Sequence, residues 1–321
     1  MKDSDNQKVD LIPVDRVEIL VLMDSMADYL LPASENVVRP PLAAQDHIHR
    51  IPLLAEHGLS LLIRLIIKES CQTILLDTGW SGSGLSHNIK LLDVDLESVD
   101  AIVLSHGHID HCGGLIEVLD RISHPIPVIV HPDAFLSVRY LDWQERVNLI
   151  QLDRQDVIDK GGQLVESAAP FVSPDNFWAT TGEVPRVSGF EKGLPNAYLE
   201  RNGNQENDDI LDDQSIVIRL KDRGLLIISG CAHAGIINTV KQCLKITAID
   251  EVYAIIGGFH LAGNIEEKVR EETLNAIEEI GPEVIIPMHC TGFDSIAKIR
   301  QRLPKNTYLS SVGTKFLLPI P

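Results

Sequence analysis

The chain has 321 residues, of which 44% are hydrophobic and 23% charged, and its 28 Lys plus Arg against 46 Asp plus Glu leave a formal charge of −18. At about 150 residues per domain, this length suits two core-forming units or one large sandwich, and the apolar content excludes a disordered chain. The negative charge disfavours phosphate backbones and anionic membranes, so the expected partner is a small molecule and neither nucleic acid nor membrane.

The opening residues, MKDSDNQKVD, are polar and carry no apolar run of the kind a signal peptide needs. The most apolar run, Leu59 to Ile67, is interrupted by Arg64 and is far shorter than the roughly 20 residues of a spanning helix. Cys71, Cys112, Cys231, Cys243 and Cys290 are scattered and form no C-x-x-C pair, which argues against a disulfide framework or a zinc finger. A cytoplasmic protein is expected.

Residues 1–15 read as a flexible tail ahead of a first strand at Val17 to Met23. Residues 32–57 read as a long loop with Pro32, Pro40, Pro41 and Pro52, and it carries His47, His49 and His57. Strands follow at Leu59 to Ile67 and Thr73 to Leu76, then a helix near Gly84 to Leu92 and a short buried strand at Ala101 to Leu104. Helical spacing returns at Leu115 to Ile122, a strand at Pro127 to Val130, and a helix at Ala134 to Leu141. Residues 160–200 suggest irregular β structure, and Asn202 to Asp213 an exposed acidic connection. The second half repeats the alternation: strands at Ser215 to Leu220 and Leu225 to Ser229, then a helix at Ile236 to Leu244. A strand at Val252 to Ile256, a helix at Glu266 to Ile280, a strand at Val284 to Pro287 and a helix at Ser295 to Leu303 complete it. Two halves of this kind predict two packed sheets with helices outside, in one domain spanning 1–321.

The chemistry concentrates in Ser105-His106-Gly107-His108-Ile109-Asp110-His111, directly after the strand AIVL. A strand ending in a tight loop can aim several side chains at one point, as a metal site requires. His106, His108, Asp110 and His111 have no packing rationale at this density; unpaired, they would bury polar atoms at a cost.

The His-x-His-x-Asp-His pattern after a strand resembles the metallo-β-lactamase superfamily, and Asp77-Thr78-Gly79 resembles that superfamily's strand-end motif. Residues 55–60 (AEHGLS), 229–235 (SGCAHAG), 257–261 (GGFHL) and 287–292 (PMHCTG) resemble a narrower branch, from about residue 16 to residue 315. That branch includes the archaeal synthase that makes a dihydropterin–ribofuranosylaminobenzene phosphate. The resemblance implies an α/β chain with an αββα four-layer sandwich. It also implies one or two divalent ions per chain, zinc first with manganese or iron(II) as alternatives. His106 and His108 would serve one ion with His233, and Asp110 and His111 a second with His289.

Two departures stand out. Residues 177–186 (FWATTGEVPR) lack the turn histidine of typical members, and Gly230-Cys231 replaces the Gly-Asp pair whose Asp bridges two metals. Cys231 is therefore expected near the site, with ligation open, and His233 stands in for the missing histidine. His260 in GGFHL could contact substrate, protonate a leaving group or bind metal. Together with Asp110 it is the candidate catalytic residue. Asp212-Asp213 reads as an ordinary solvated acidic turn.

A divalent ion lowers the pKa of its water towards neutrality and polarises a carbonyl or phosphoryl oxygen. The expected function is thus hydrolysis of a small-molecule ester, lactone, amide or phosphoester by a metal-bound hydroxide, with Asp110 orienting the nucleophile. Two alternatives stay open. One is a pterin–arylamine transferase releasing diphosphate, and the other a mononuclear iron dioxygenase. The oligomeric state is not legible.

Overall fold

Alternation along the first strand, Arg16–Met23, decides the architecture: Val17, Ile19 and Val21 enter one core while Leu20 and Leu22 enter another. The computed structural model describes residues 8–44, 47–48, 51–136, 138–142, 145–201, 203–263 and 265–320. The same two-residue period holds next door, where Leu61, Ile63 and Leu65 face the first core and Leu62 the second. It holds again in the other half, where Leu226 and Ile228 join the first core and Leu225 and Ile227 a third.

Two sheets therefore share one apolar interface. The larger runs in the order Gly162–Glu166, Ile126–Val130, Ala101–Val103, Ser70–Leu76, Ser60–Ile67, Arg16–Met23, Lys315–Leu318 and Val37–Val38. The smaller runs Trp178–Thr180, Ser215–Leu220, Gly224–Ser229, Val252–Gly257 and Val284–Pro287. Helices Gly82–Leu91 and Leu115–Leu119 cover the outer face of the first sheet through Leu85, Ile89, Leu115 and Val118. Helices Ile236–Thr247, Glu267–Ile280 and Phe293–Arg302 cover the second through Ile237, Val240, Leu274, Ile277 and Ile299. The result is the αββα sandwich. Each fully buried aliphatic side chain in these cores contributes about 1.5–3 kcal/mol.

Several expected elements differ. Residues 8–15 are no flexible tail: Val9, Leu11 and Val14 are buried, and the amides of Val9 and Val14 donate to the carbonyls of Ile246 and Arg219. Residues 1–7 of that expected tail lie outside the described residues. The expected helix at 134–141 is a 3-10 turn, Pro132–Phe135, followed by the strand Arg139–Asp142, with residue 137 outside the described residues. Proline suits the first turn but the ladder to Ala197–Arg201 and the Arg139 ion pairs claim the rest. The expected exposed connection at 202–213 instead holds strand Asn204–Asn207 and three buried carboxylates, Asp208, Asp212 and Asp213; residue 202 lies outside the described residues. Within the long loop 32–57, Val37–Val38 joins the first sheet, and residues 45, 46, 49 and 50 lie outside the described residues.

Among the described residues, no helix is long and apolar enough to cross a membrane. Strands Ser70–Leu76, Ala101–Val103 and Ile126–Val130 are mutually parallel, as are Gly224–Ser229, Val252–Gly257 and Val284–Pro287. Their carboxyl ends deliver the chemistry, as open parallel sheets commonly do.

Candidate metal centre

Beyond strand Ala101–Val103 the chain turns through His106-Gly107-His108 into a single helical turn, Ile109–Cys112. The amides of His111 and Cys112 donate to the carbonyl of His108, closing that turn and carrying Asp110 and His111 round to one side. The turn needs glycine at 107, because a Cβ there would lie 2.4 Å from the carbonyl oxygen of Ala134. The Gly107 amide donates to Asp212 Oδ2 at 2.8 Å, and Arg139 pairs with both Asp208 and Asp212, all three being buried. The acidic turn expected to be solvated is thus the anchor of the histidine loop.

A second anchor fixes which ring nitrogens can bind. Asp77 Oδ2 lies 2.7 Å from His111 Nδ1 and accepts from Ser105 Oγ at 2.7 Å. A carboxylate only accepts, so Nδ1 of His111 carries a hydrogen and Nε2 is the nitrogen turned towards the other donors. The Ser105 hydroxyl, its proton spent on Asp77, accepts from His106 Nδ1 at 2.9 Å, which frees His106 Nε2 in turn. The freed atoms face other donors. His106 Nε2 is 3.1 Å from His233 Nε2; His111 Nε2 is 3.2 Å from His289 Nε2 and 3.1 Å from Cys231 Sγ. Asp110 Oδ2 lies 3.4 Å from His111 Nε2 and 3.3 Å from His289 Nε2.

These separations fit a cation. Around an ion with bonds of 2.0–2.1 Å, tetrahedral neighbours stand about 3.3–3.4 Å apart. Lone pairs turned towards each other at such range need a proton or a cation between them. Two donor sets gather these atoms, Asp110–His111–Cys231–His289 and His106–Cys231–His233, each within 4.8 Å, and Cys231 belongs also to a third with His260 and Cys290. His108 stands beside rather than within them: its ring is 4.5 Å from that of His106 and 4.9 Å from that of His233, and its buried Nε2 has no hydrogen-bond partner. Nδ1 of His233 and of His289 is equally unpartnered.

The electrostatics agree. Burial, then the neighbouring imidazoles His111, His108 and His233, hold His106 well below the usual histidine range. Burial and the Arg139 guanidinium push His108 down to about 4, so both rings are neutral at pH 7 as ligands must be. For His111, burial opposes charge but the carboxylates of Asp110 and Asp77 outweigh it and raise the pKa well above the usual range, so without an ion Nε2 also holds a proton, which a cation would have to displace. Asp110 is partly buried, yet His111 and His289 hold its carboxyl well below the usual carboxylate range.

The structure thus brings His106, Asp110, His111, His233 and His289 into donor contact, sets His108 alongside, and adds Cys231 to both sets. His260 lies 4.3 Å from the ring of His233, with Nδ1 buried and unpartnered. At the opening, His57 Nε2 approaches Asp110 Oδ2 at 3.6 Å with its side chain 64% exposed. Sequence reasoning missed Cys290, the buried role of Asp213, and Asp24, whose Oδ1 accepts from the His289 amide at 3.0 Å. The Asp-Thr-Gly motif was the one visible signal for Asp77. Asp77, Ala232, His260 and His289 all adopt positive φ, so strained backbone gathers around the centre.

Fold and donor cluster define a class, and the chain belongs to the metallo-β-lactamase superfamily, whose profile matches residues 56–191. More particularly, a 7,8-dihydropterin-6-methyl-4-(beta-D-ribofuranosyl)-aminobenzene-5'-phosphate synthase of Methanocaldococcus jannaschii is 34% identical over 258 residues, 78% of this chain and 86% of the relative. An uncharacterized protein of the same archaeon is 34% identical over 254 residues, 77% of this chain and 88% of its own. The crystal structure of a metal-dependent hydrolase of the beta-lactamase superfamily superposes with a TM-score of 0.69 at 24% identity, over 94% of this chain and 98% of that one.

Proposed function

We propose that this chain is a metal-dependent enzyme that joins an arylamine nitrogen to a pterin methylene group with release of diphosphate. The observation that carries the reading is the convergence of Asp110, His111 and His289 with His106 and His233 on Cys231. Similarity to the archaeal synthase over most of both chains supports the choice of acceptor. His106 and His233, with His108 alongside, would hold one divalent ion and Asp110, His111 and His289 another, Cys231 being within reach of both sets. Such an ion, zinc, manganese or iron(II), supplies Lewis-acid stabilisation of the departing oxyanion.

The protein's own groups account for the rest. As the amine nitrogen bonds to the methylene carbon, the carbon–oxygen bond breaks and its electron pair leaves with diphosphate. The amine must then lose a proton. Asp110 is held ionised, and its side chain keeps 14% exposure, so its carboxylate accepts a hydrogen bond from the amine and orients it while solvent takes the proton. His57, against Asp110, limits which way the carboxylate turns.

A second reading, hydrolysis of a small ester, lactone, amide or phosphoester, is favoured by the same partly buried carboxylate, which positions water as readily as an amine. Purified protein incubated with a dihydropterin methyl diphosphate, with and without an arylamine, separates the two by mass spectrometry. Coupled product is expected; a pterin alcohol formed equally with or without amine would favour hydrolysis. Turnover independent of added divalent metal would remove both, and dioxygen uptake would point to an oxygenase instead. His108→Ala is expected to lower metal content and turnover together.

A further inference from the structure

Beside His233 lies a donor set of which this reaction uses only Cys231. Sγ of Cys231, Sγ of Cys290 and a ring nitrogen of His260 all lie within 4.8 Å of one another. Each follows one of three adjacent parallel strands, Gly224–Ser229, Val252–Gly257 and Val284–Pro287, whose register aligns Ser229 with Gly257 and Gly257 with Pro287. The loops are stitched together at short range. The Gly258 amide donates to the Gly230 carbonyl at 3.1 Å, the Phe259 amide to Thr291 Oγ1 at 3.0 Å, and the Ala262 amide to the Cys290 carbonyl at 3.1 Å. A Cβ on Gly258 would lie 2.4 Å from the Gly230 carbonyl oxygen and 2.6 Å from Cys290 Sγ, so the approach exists only because that residue is glycine.

Held by those bonds, His260 takes φ +47, a conformation rare for a side chain of its size. Its Nδ1 is buried without a partner, and both cysteines are buried and free. Packing alone does not explain the arrangement. The Cys290 sulfur is hydrogen-bonded to both His260 and Cys231, a polar chain in the interior, while Nδ1 of His260 is left without a partner at a cost in free energy. Two sulfurs and one imidazole match the preferences of zinc, iron(II) or cobalt(II), unlike the oxygen donors favoured by magnesium or calcium.

We infer that Cys231, His260 and Cys290 form a sulfur-rich metal position, contiguous with the histidine centre through Cys231 and selective for a borderline transition ion. It rests on the metal-centre reading and extends it by two ligands, and of the three roles open to His260 it selects the third. A thiol that still carries its proton releases it to solvent on ligation.

The test uses the full chain, stripped with chelator and titrated with cobalt(II) while near-ultraviolet thiolate-to-cobalt absorption and metal stoichiometry are followed. Wild type is expected to show a strong sulfur band, Cys290→Ser to lose about half of it, and His260→Ala to bind this share of cobalt at least tenfold more weakly. Alkylation of wild type followed by peptide mapping gives a readout free of any folding defect: bound cobalt is expected to protect Cys290. Cobalt bound without a sulfur band, or Cys290 alkylated equally with and without cobalt in urea concentrations that open the loops but retain metal, overturns the sulfur position and leaves the histidine centre standing. No cobalt bound at all overturns both.

Discussion

Asp77 Oδ2 and His111 Nδ1 stand 2.7 Å apart with neither side chain exposed, and this contact decides which nitrogen of His111 faces the other donors. Asp77→Asn can present an amide N–H in place of the acceptor and turn the ring's tautomer. The expected result is a 10–100-fold loss of metal affinity, read by competition with a chromophoric chelator. Affinity unchanged in a folded variant would mean that the tautomer is set elsewhere.

The histidine loop also depends on the space at residue 107. Gly107→Ala places a Cβ against the Ala134 carbonyl oxygen, a rigid backbone neighbour, so the loop carrying His106 and His108 must shift. Metal occupancy should fall sharply. Gly189→Ala, where a Cβ would meet nothing within 4 Å, is the control and should melt with wild type. Equal metal content in the two variants would contradict the account.

Arg139 is the hub beneath that loop. Replacing it with methionine leaves Asp208 and Asp212 buried without their counter-charge. Removing one partner of such a pair costs about 3–5 kcal/mol. Urea unfolding should show that loss as a lower midpoint, and a change below about 1 kcal/mol would show that water reaches the carboxylates.

Asp213 gives the stability a pH signature. Burial pushes its carboxyl up to about 7, while one oxygen accepts from the Ala234 amide and the other has no partner. Below its unfolded value near 3.9 both states are protonated and nothing is lost. Between there and about 7 only the folded state holds the proton, so rising pH destabilises it; above 7 the folded state bears a full buried charge. In metal-stripped protein, Asp213→Asn should therefore match wild type at pH 4 and gain on it up to pH 7, by at most about 4 kcal/mol. A difference independent of pH would show that Asp213 does not titrate in this window.

Much of the fold was legible because two-residue alternation marks a strand with two apolar faces, as at Leu61-Leu62-Ile63, and such strands must be covered on both sides. Local pattern failed where distant partners set the outcome. Residues 134–141 have helical spacing, yet strand pairing with Ala197–Arg201 and the carboxylates of Asp208 and Asp212 hold Arg139 extended. Val9 and Leu11 sit in a polar stretch, and only the third core reveals why they are apolar.

By itself, the amino-acid sequence determined the donors that share one tight loop, His106, His108, Asp110 and His111, because residues so close along a chain cannot be far apart in space. Which nitrogen each ring offers, why Asp212 is buried, and how Cys231 comes to lie between His111 and Cys290 were decided only by the tertiary structure. Those groups sit on different strands, more than a hundred residues apart in some cases, and only the alignment of parallel strand ends brings them within bonding distance.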